Sequence, residues 1–495
     1  MSDLSTIVGK SIDDFPIQVP EIDDTERIKR AFNFGVTAQL RTLIVFPNTM
    51  RYKISNKLTM DVNYTAIAGQ GFVIDASAIT SGEALLIIGT KYPTYRNTMT
   101  AVNGLELVGQ SQAYPGYPTS SEISAAKSKN TIGIKFDGVG TAGASHVNLF
   151  NTNVYGFGTG VQYNNHAYLI TMFNSDVHWC GTSVEMPSGL TDYGERITFV
   201  SCSFYNSITL VKQSNSDGSM KFVTCSFDYQ SGRAFHLTGG RVTLIGGHIE
   251  AKHDDNYFWY IEGQGALLQF IGVEIVVPSE KGNTSNYELG YVHANTALGG
   301  LQMTNCFLSI PSYKKQFLIA GEGRVMIKDL VTNQLDKKFS ISKSLNRLRD
   351  GSFKDNNSLL DWTVEKGTPV IDAITYYAGT SSLKLNSSDG TGVILNKEVA
   401  CSPNELVTTS MYIKTENLAA NSKMFYVQRR YLDGKGNVLH DATESINTDF
   451  DWKLYTFQDF ILAPPGTEKF QLRLSTGATN PVCTVWVDEV YVTKN

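Results

Sequence analysis

The chain has 495 residues, enough for two or three domains with separate cores. Its formal charge is −5, with 42 Lys and Arg against 47 Asp and Glu and no basic run, so nucleic acid is not an expected partner. An acidic polysaccharide is not excluded, because local charge in a groove decides that contact.

The N-terminus, MSDLSTIVGKSIDD, has no apolar run of signal-peptide length, and no stretch is long enough to span a bilayer. Synthesis in the cytoplasm without membrane insertion is therefore expected. Residues 1–22 are polar and contain Pro, and read as a flexible tether or docking segment. DDTERIKRAFNFG at Asp23–Gly35 reads as a short helix with Asp24 as N-cap and an apolar stripe of Ile28, Ala31 and Phe32. LRTLIVFPN, YKISNKLTM and TAIAGQGFVIDAS continue as short strands with Gly turns. Residues 110–130, rich in Ser, Ala, Pro and Gly, read as an exposed loop.

From about residue 145 to 310 one phrase recurs: FVSCSFYN at Phe199–Asn206, FVTCSFDY at Phe222–Tyr229, LIGGHIEA at Leu244–Ala251, FIGVEIVV at Phe270–Val277 and QMTNCFLS at Gln302–Ser309. In it Phe204, Phe227, Ile249, Ile275 and Leu308 share one register, at steps of 23, 22, 26 and 33 residues, and Val154 and Val177 extend it backwards. An alternating phrase at this period is too short for a helical repeat and suits one coil of a parallel β-solenoid. Cys202, Cys225 and Cys306 occupy one inward position and are expected to be buried, reduced thiols. The solenoid is expected over 23–335 and a basic, polar linker over 336–350. Residues 351–495 lose the period and hold strand candidates at Ser382–Asn386, Val407–Lys414, Phe425–Leu432, Lys453–Ile461, Phe470–Ser475 and Thr484–Thr493, spaced as in an antiparallel sandwich.

Alternation also decides which carboxylates face out. With Phe227 and Ile249 inside, Asp228 and Glu250 point to solvent, in one register on neighbouring coils about 4.8 Å apart. Glu195 precedes the strand of the coil before, and Tyr205 is beside Asp228. Glycosidic cleavage needs one carboxyl group to protonate the leaving oxygen and a second to attack or to activate water. Glu195, Asp228 and Glu250 are thus the candidate catalytic set, with roles left open; outward Asp and Glu are also ordinary solubilising residues. Tyr205, Tyr229, His248, Arg233 and Trp259 are candidate sugar contacts, because sugar grooves combine rings with acids and donors. His236 and the turn His253–Asp255 are weaker candidates. A lyase would instead use a Lys, Arg, Tyr or His base beside a uronate, often with Ca²⁺; Arg196, Arg233, Arg241 and Tyr229 are available, but no pectate-lyase-like Asp cluster is visible. No cofactor or metal is expected. In the last domain Trp362, Trp452 and Trp486 read as core, and Tyr376, Tyr377 and Tyr431 as candidate sugar contacts.

The order DDTERIKRAF, LIVFPN, YKIS resembles the opening of pectate-lyase-like right-handed β-helix proteins, with the usual Pro-Gly-Tyr turn altered to Pro47-Asn48-Thr49-Met50. GERITFVSCSF at Gly194–Phe204, CSFDYQ at Cys225–Gln230 and GGHIEA at Gly246–Ala251 resemble bacteriophage tailspike depolymerases over roughly residues 20–330. DGSF at Asp350–Phe353, Trp362, GTSSLKL at Gly379–Leu385 and VWVDEVYV at Val485–Val492 resemble jelly-roll carbohydrate-binding modules. The resemblances imply an all-β protein, a right-handed parallel β-helix followed by an antiparallel jelly roll, acting as a homotrimer in the phage virion. They imply cleavage of a bacterial capsular or O-antigen polysaccharide, and a jelly roll that binds sugar or ends the trimer. The family's virion-binding head is not seen, which leaves the N-terminal segment as the candidate contact to a tail adaptor. The rival expectations are a uronate-cleaving lyase and a receptor protein that binds polysaccharide without cutting it.

Overall fold

The computed structural model describes residues 7–47, 50–91, 100–110, 130–140, 142–190, 194–250, 257–263, 265–277, 289–293, 299–309, 317–321, 323–328, 330–332, 340–342, 353, 359, 362–377, 380–386, 392–405, 407–418, 424–458, 462–476 and 483–494. It divides into two compact units, Met1–Tyr313 with Glu322–Gln334, and Lys314–Gly321 with Leu335–Asn495.

The first unit is a parallel β-helix. Each typical coil has three strands, as in Ile197–Val200, Ser203–Tyr205 and Thr209–Gln213. First strands pair only with first strands of adjacent coils, and second and third strands do likewise. The expected core register is observed: Val154, Val177, Phe204, Phe227, Ile249, Ile275 and Leu308 are consecutive partners in one ladder of second strands. Because side chains alternate and the coils stack in register, like residues pile on like. Phe199 stacks on Phe222 at 4.6 Å and Phe204 on Phe227 at 5.2 Å, pairs worth about 0.5–1.5 kcal/mol each beyond the area they bury.

The bend between first and second strands has a local cause. Asn151, Asn174, Ser201, Thr224, Gly246, Gly272 and Asn305 all lie there with φ between 47° and 63°. That left-handed conformation is tolerated by Gly and Asn, and Asn174 Nδ2 also donates to Asn151 Oδ1 at 2.7 Å one coil away. The Cys that follows in three coils turns inward as expected, and Cys202, Cys225 and Cys306 are free and buried.

The helix runs Thr25–Ala38 and buries Ile28, Ala31 and Phe32. Asp24 occupies the N-cap, but its Oδ2 accepts the Lys53 N–H at 3.0 Å, while Asp23 Oδ1 accepts the Thr25 N–H at 2.9 Å. The tether expected over 1–22 is corrected at residues 7–14: Ile7–Ser11 is a strand paired in parallel with Arg41–Val45, followed by a single turn of 3₁₀ helix at Ile12–Asp14. Ile12 is buried, and Arg27 reaches back to the Phe15 carbonyl at 2.8 Å and to Asp13 at 2.7 Å. The linker expected over 336–350 is likewise corrected at Ser340–Ser342, a strand pairing in parallel with Phe317–Ala320. The loop expected at 110–130 lies mostly outside the described residues.

The second unit contains two five-stranded antiparallel sheets. One has the order Thr363–Lys366, Ile394–Ala400, Lys469–Thr476, Phe425–Leu432, Val438–Ile446; the other Val370–Asp372, Ser382–Asn386, Thr484–Lys494, Val407–Glu416, Phe450–Gln458. Their inward residues, among them Leu383, Leu395, Met411, Val427, Leu472 and Val487, form one core. Trp362 joins it as expected. Trp486 is shielded differently, under Lys384 and Lys414 with its Nε1 donating to Asp372 Oδ2 at 2.7 Å.

Candidate functional site

The second strands of the β-helix present two outward rows. One contains Asn153, Asp176, Ser203, Ser226, His248 and Glu274 in register. The other, two residues further along each strand, contains Tyr155, His178, Tyr205, Asp228 and Glu250. The expected neighbourhood of Asp228, Glu250, Tyr205 and His248 is therefore on one face.

The second row begins as a ring stack. Tyr155 lies on His178 at 5.0 Å, and His178 on Tyr205 at 4.4 Å with an interplanar angle of 7°. The next position in register is Asp228. Burial pushes the Asp228 carboxyl above its ordinary value, opposed by the Ser226 hydroxyl, which donates to Oδ2 at 2.6 Å, by His248 and by the Glu250 backbone N–H; the Glu250 charge adds a smaller upward push. Asp228 Oδ1 is enclosed. Burial of this kind disfavours the charged form of a carboxyl. His248 Nδ1 pairs with Glu274 Oε2 at 3.1 Å.

Four residues of this face escape a reading based on recurring phrases. Asp176 is half-buried, and burial raises its pKa against a hydrogen bond from Ser203. His178 is almost fully buried with Nε2 beside Asn153 Oδ1 at 2.9 Å, and burial lowers its pKa to about 3, so it is neutral. Tyr155 donates to Glu106 Oε1 at 2.6 Å, and Trp179 packs edge-on against Tyr155 and His178. The usable signal is Val177: it shares the core register, so Asp176 and His178 on either side of it must face out.

Trp179 and Tyr229 close their second strands in the left-handed region, at φ 49° and 53°. Gly156 and Asn206 hold the same corner of their coils at φ 83° and 52°, so this bend belongs to the coil. Trp179 is folded onto the ring stack, whereas Tyr229 is 51% exposed next to Asp228.

Other expected members lie elsewhere. Glu195 is exposed in the turn before the first strand Ile197–Val200; the residue of its coil in register with Asp228 is Tyr205, so a whole strand and a bend separate Glu195 from the pair. The expected three-carboxylate set is thus corrected to a pair with Glu195 apart. The Arg233 guanidinium lies 3.6 Å from the Tyr260 ring centre and contacts His236, which meets Glu262 at 3.0 Å; this group is on the third-strand side. Trp259 is not a sugar contact. It is fully buried in the inward row of third strands, and its indole occupies the space a side chain would need at its partner Gly290. Tyr431 is also fully buried and is corrected as a sugar contact, while Tyr376 and Tyr377 are 43% and 45% exposed. His253–Asp255 lie outside the described residues. Among the described residues no cluster of three or more His, Cys, Asp or Glu is arranged to hold a metal ion, and no helix is long and apolar enough to cross a membrane.

No family model matches the chain. The capsule K2-specific depolymerase of Klebsiella phage vB_KpnP_KpV74 is 22% identical over 460 residues, covering 88% of this chain and 76% of that protein. The enzymatically active domain of tailspike protein 4 from bacteriophage CBA120 superimposes with a TM-score of 0.72 at 16% identity, covering 98% of this chain and 68% of that one. A family 61 carbohydrate-binding module solved with β-1,4-galactotriose aligns with 30% of this chain and 99% of its own, at 13% identity and a TM-score of 0.23. Fold and face together define a β-helix protein with a carboxylate-lined side. The chain resembles the bacteriophage tailspike depolymerases in its sequence and in its fold.

Proposed function

We propose that the protein is a tailspike depolymerase that binds and cleaves a bacterial capsular or O-antigen polysaccharide on the second-strand face, by carboxylate-based hydrolysis, with Asp228 and Glu250 at its centre. The observation that carries this reading is Asp228: a half-buried carboxyl with its pKa raised by burial, stacked in register between Tyr205 and Glu250 on a long ladder. A carboxyl whose pKa is raised by burial gives its proton to a leaving glycosidic oxygen more readily at the pH where sugars are cleaved than an ordinary surface carboxyl does. Tyr229, exposed beside it, offers a ring for the apolar face of a sugar.

The test is digestion of purified capsule and O-antigen from a strain panel, with products analysed by mass spectrometry. Repeat-unit oligosaccharides heavier by one water support hydrolysis, with Asp228→Asn slowing release about 10²–10⁴-fold, the usual contribution of general acid catalysis. Tyr229→Ala should raise KM and spare kcat. Products with an ultraviolet-absorbing double bond mean a lyase, and binding without products means a receptor protein.

Assembly as a homotrimer in the virion tail is part of the same proposal. Its support is an outward row of first strands that is apolar over six coils, namely Phe150, Phe173, Val200, Val223, Ile245 and Ile271 in register. Val200, Val223, Ile245 and Ile271 give a sugar neither hydrogen bonds nor a ring, so a protein surface is the fitting cover for that part of the row. Light scattering should give three times the chain mass of 54.5 kDa, and Val223→Glu with Ile245→Glu should reduce it.

A further inference from the structure

We propose that the third-strand side of the β-helix carries a second saccharide site, built around Arg233, that takes the carboxylate of an acidic sugar. The inference rests on the reading that the protein meets polysaccharide. It goes beyond that reading because the site is one of holding, set apart from Asp228, and needs no bond to be cut.

The site grows from the outward row of third strands. His236, Tyr260 and Tyr291 are consecutive partners in register, so their side chains pile up on one side of the coils. The Tyr260 ring lies on the Tyr291 ring at 4.9 Å and 15°. Tyr257 leans on both, 5.9 Å from Tyr260 and 5.2 Å from Tyr291. With Tyr291 on one face of Tyr260, the Arg233 guanidinium takes the other, 3.6 Å from the ring centre. All four side chains are half-buried, so part of each faces solvent.

This packing leaves a fixed cation without a carboxylate. Arg233 Nη1 meets His236 Nε2 at 3.3 Å, and among the described residues no acid pairs with it. The nearby acid, Glu262, is engaged by His236 at 3.0 Å instead. The next cation along the row, Lys212, is neutralised by Glu185 at 2.8 Å. A guanidinium already laid on a ring loses little freedom when a ligand arrives, and its planar fork matches a carboxylate with two parallel hydrogen bonds. One uncompensated charge suits a monoanion, whereas a phosphate ester, with close to two negative charges, calls for more. Burial and the Glu262 charge raise the Tyr260 phenol above its ordinary value, so it keeps its proton as a donor. Phenols beside a guanidinium give the hydroxyls of the same sugar their partners. Arg233 follows Asp228 after the second strand has ended and before the third begins, so a sugar held here lies on the side adjoining the Asp228 face.

The experiment is a titration of the full chain by saturation-transfer NMR. The probes are the methyl glycosides of glucuronic and galacturonic acid, with those of glucose and galactose as neutral controls. The acids are expected to bind, and both the neutral sugars and the Arg233→Ala variant to show binding about 10–100-fold weaker, the loss of a charge-assisted hydrogen bond. Arg233→Gln keeps a planar polar group without the charge and should lose binding equally, which covers an alanine variant of lowered melting temperature. Acid binding that survives both variants overturns the site, as does equal binding of the neutral sugars or no binding of either acid. Displacement by inorganic phosphate at lower concentration than by glucuronate means a phosphate site and overturns it too. Capsule digestion is scored apart. Binding through Arg233 without cleavage supports the site and sinks the hydrolase reading, and cleavage without acid binding at Arg233 does the reverse.

Discussion

Asp228 carries a cost that can be measured apart from activity. Its folded-state pKa lies above the ordinary value of 3.8, so over that interval the native protein binds more protons than the unfolded chain. Stability then falls as pH rises through the interval, and the penalty is fully present above it. Asp228→Asn keeps the shape and removes the charge. It should melt higher than the parent at pH 7 and converge with it near pH 3, as read by calorimetry at the two pH values. His178 is the reverse case: held neutral down to about pH 3, it should add no limb to a rate profile between pH 5 and 8. Neither shift follows from residue type. Both come from what covers the side chain, for Asp228 the coil of Tyr205 on one side and of Glu250 on the other.

The coil strands were legible because two local rules coincide in them. The phrase recurs and side chains alternate, so Phe204, Phe227 and Ile249 mark the core, whereas Ser201 and Thr224 hold left-handed corners that their residue types do not announce. The sandwich was legible in part: Ile394–Ala400, half-buried and paired on both sides, carries no turn signal that marked it as a strand. Ser382–Asn386 and Phe425–Leu432 match expectation, whereas Val438–Ile446 was missed because it pairs on one side only and most of its residues are exposed. Trp259 was misread because its neighbours Tyr257 and Tyr260 face out, and no local signal says which ring of such a run is inside. Its fit to Gly290 gives a prediction for this element. Gly290→Ala would put a Cβ 1.6 Å from Trp259 Nε1, and should cost about 1–3 kcal/mol as overpacking, measured by denaturant unfolding. Trp259→Phe in the same chain should recover part of the loss.

At the scale of the molecule, the two units have separate cores and opposite strand logic, parallel and coiled in one and antiparallel in the other. A sandwich whose core is its own should fold alone. Residues 351–495 expressed by themselves are expected to give one cooperative thermal transition and β-type circular dichroism. Aggregated material without a transition would mean that this unit depends on the rest of the chain.

The sequence by itself determined the repeat, the inward register and the outward direction of Asp228 and Glu250, because side-chain alternation acts over two or three residues. Only the tertiary structure decided that Glu195 stands apart and that Arg233 turns to Tyr260. Those relations depend on which coils stack and how deeply each side chain is covered, which are contacts between residues some twenty or more positions apart that no local pattern encodes.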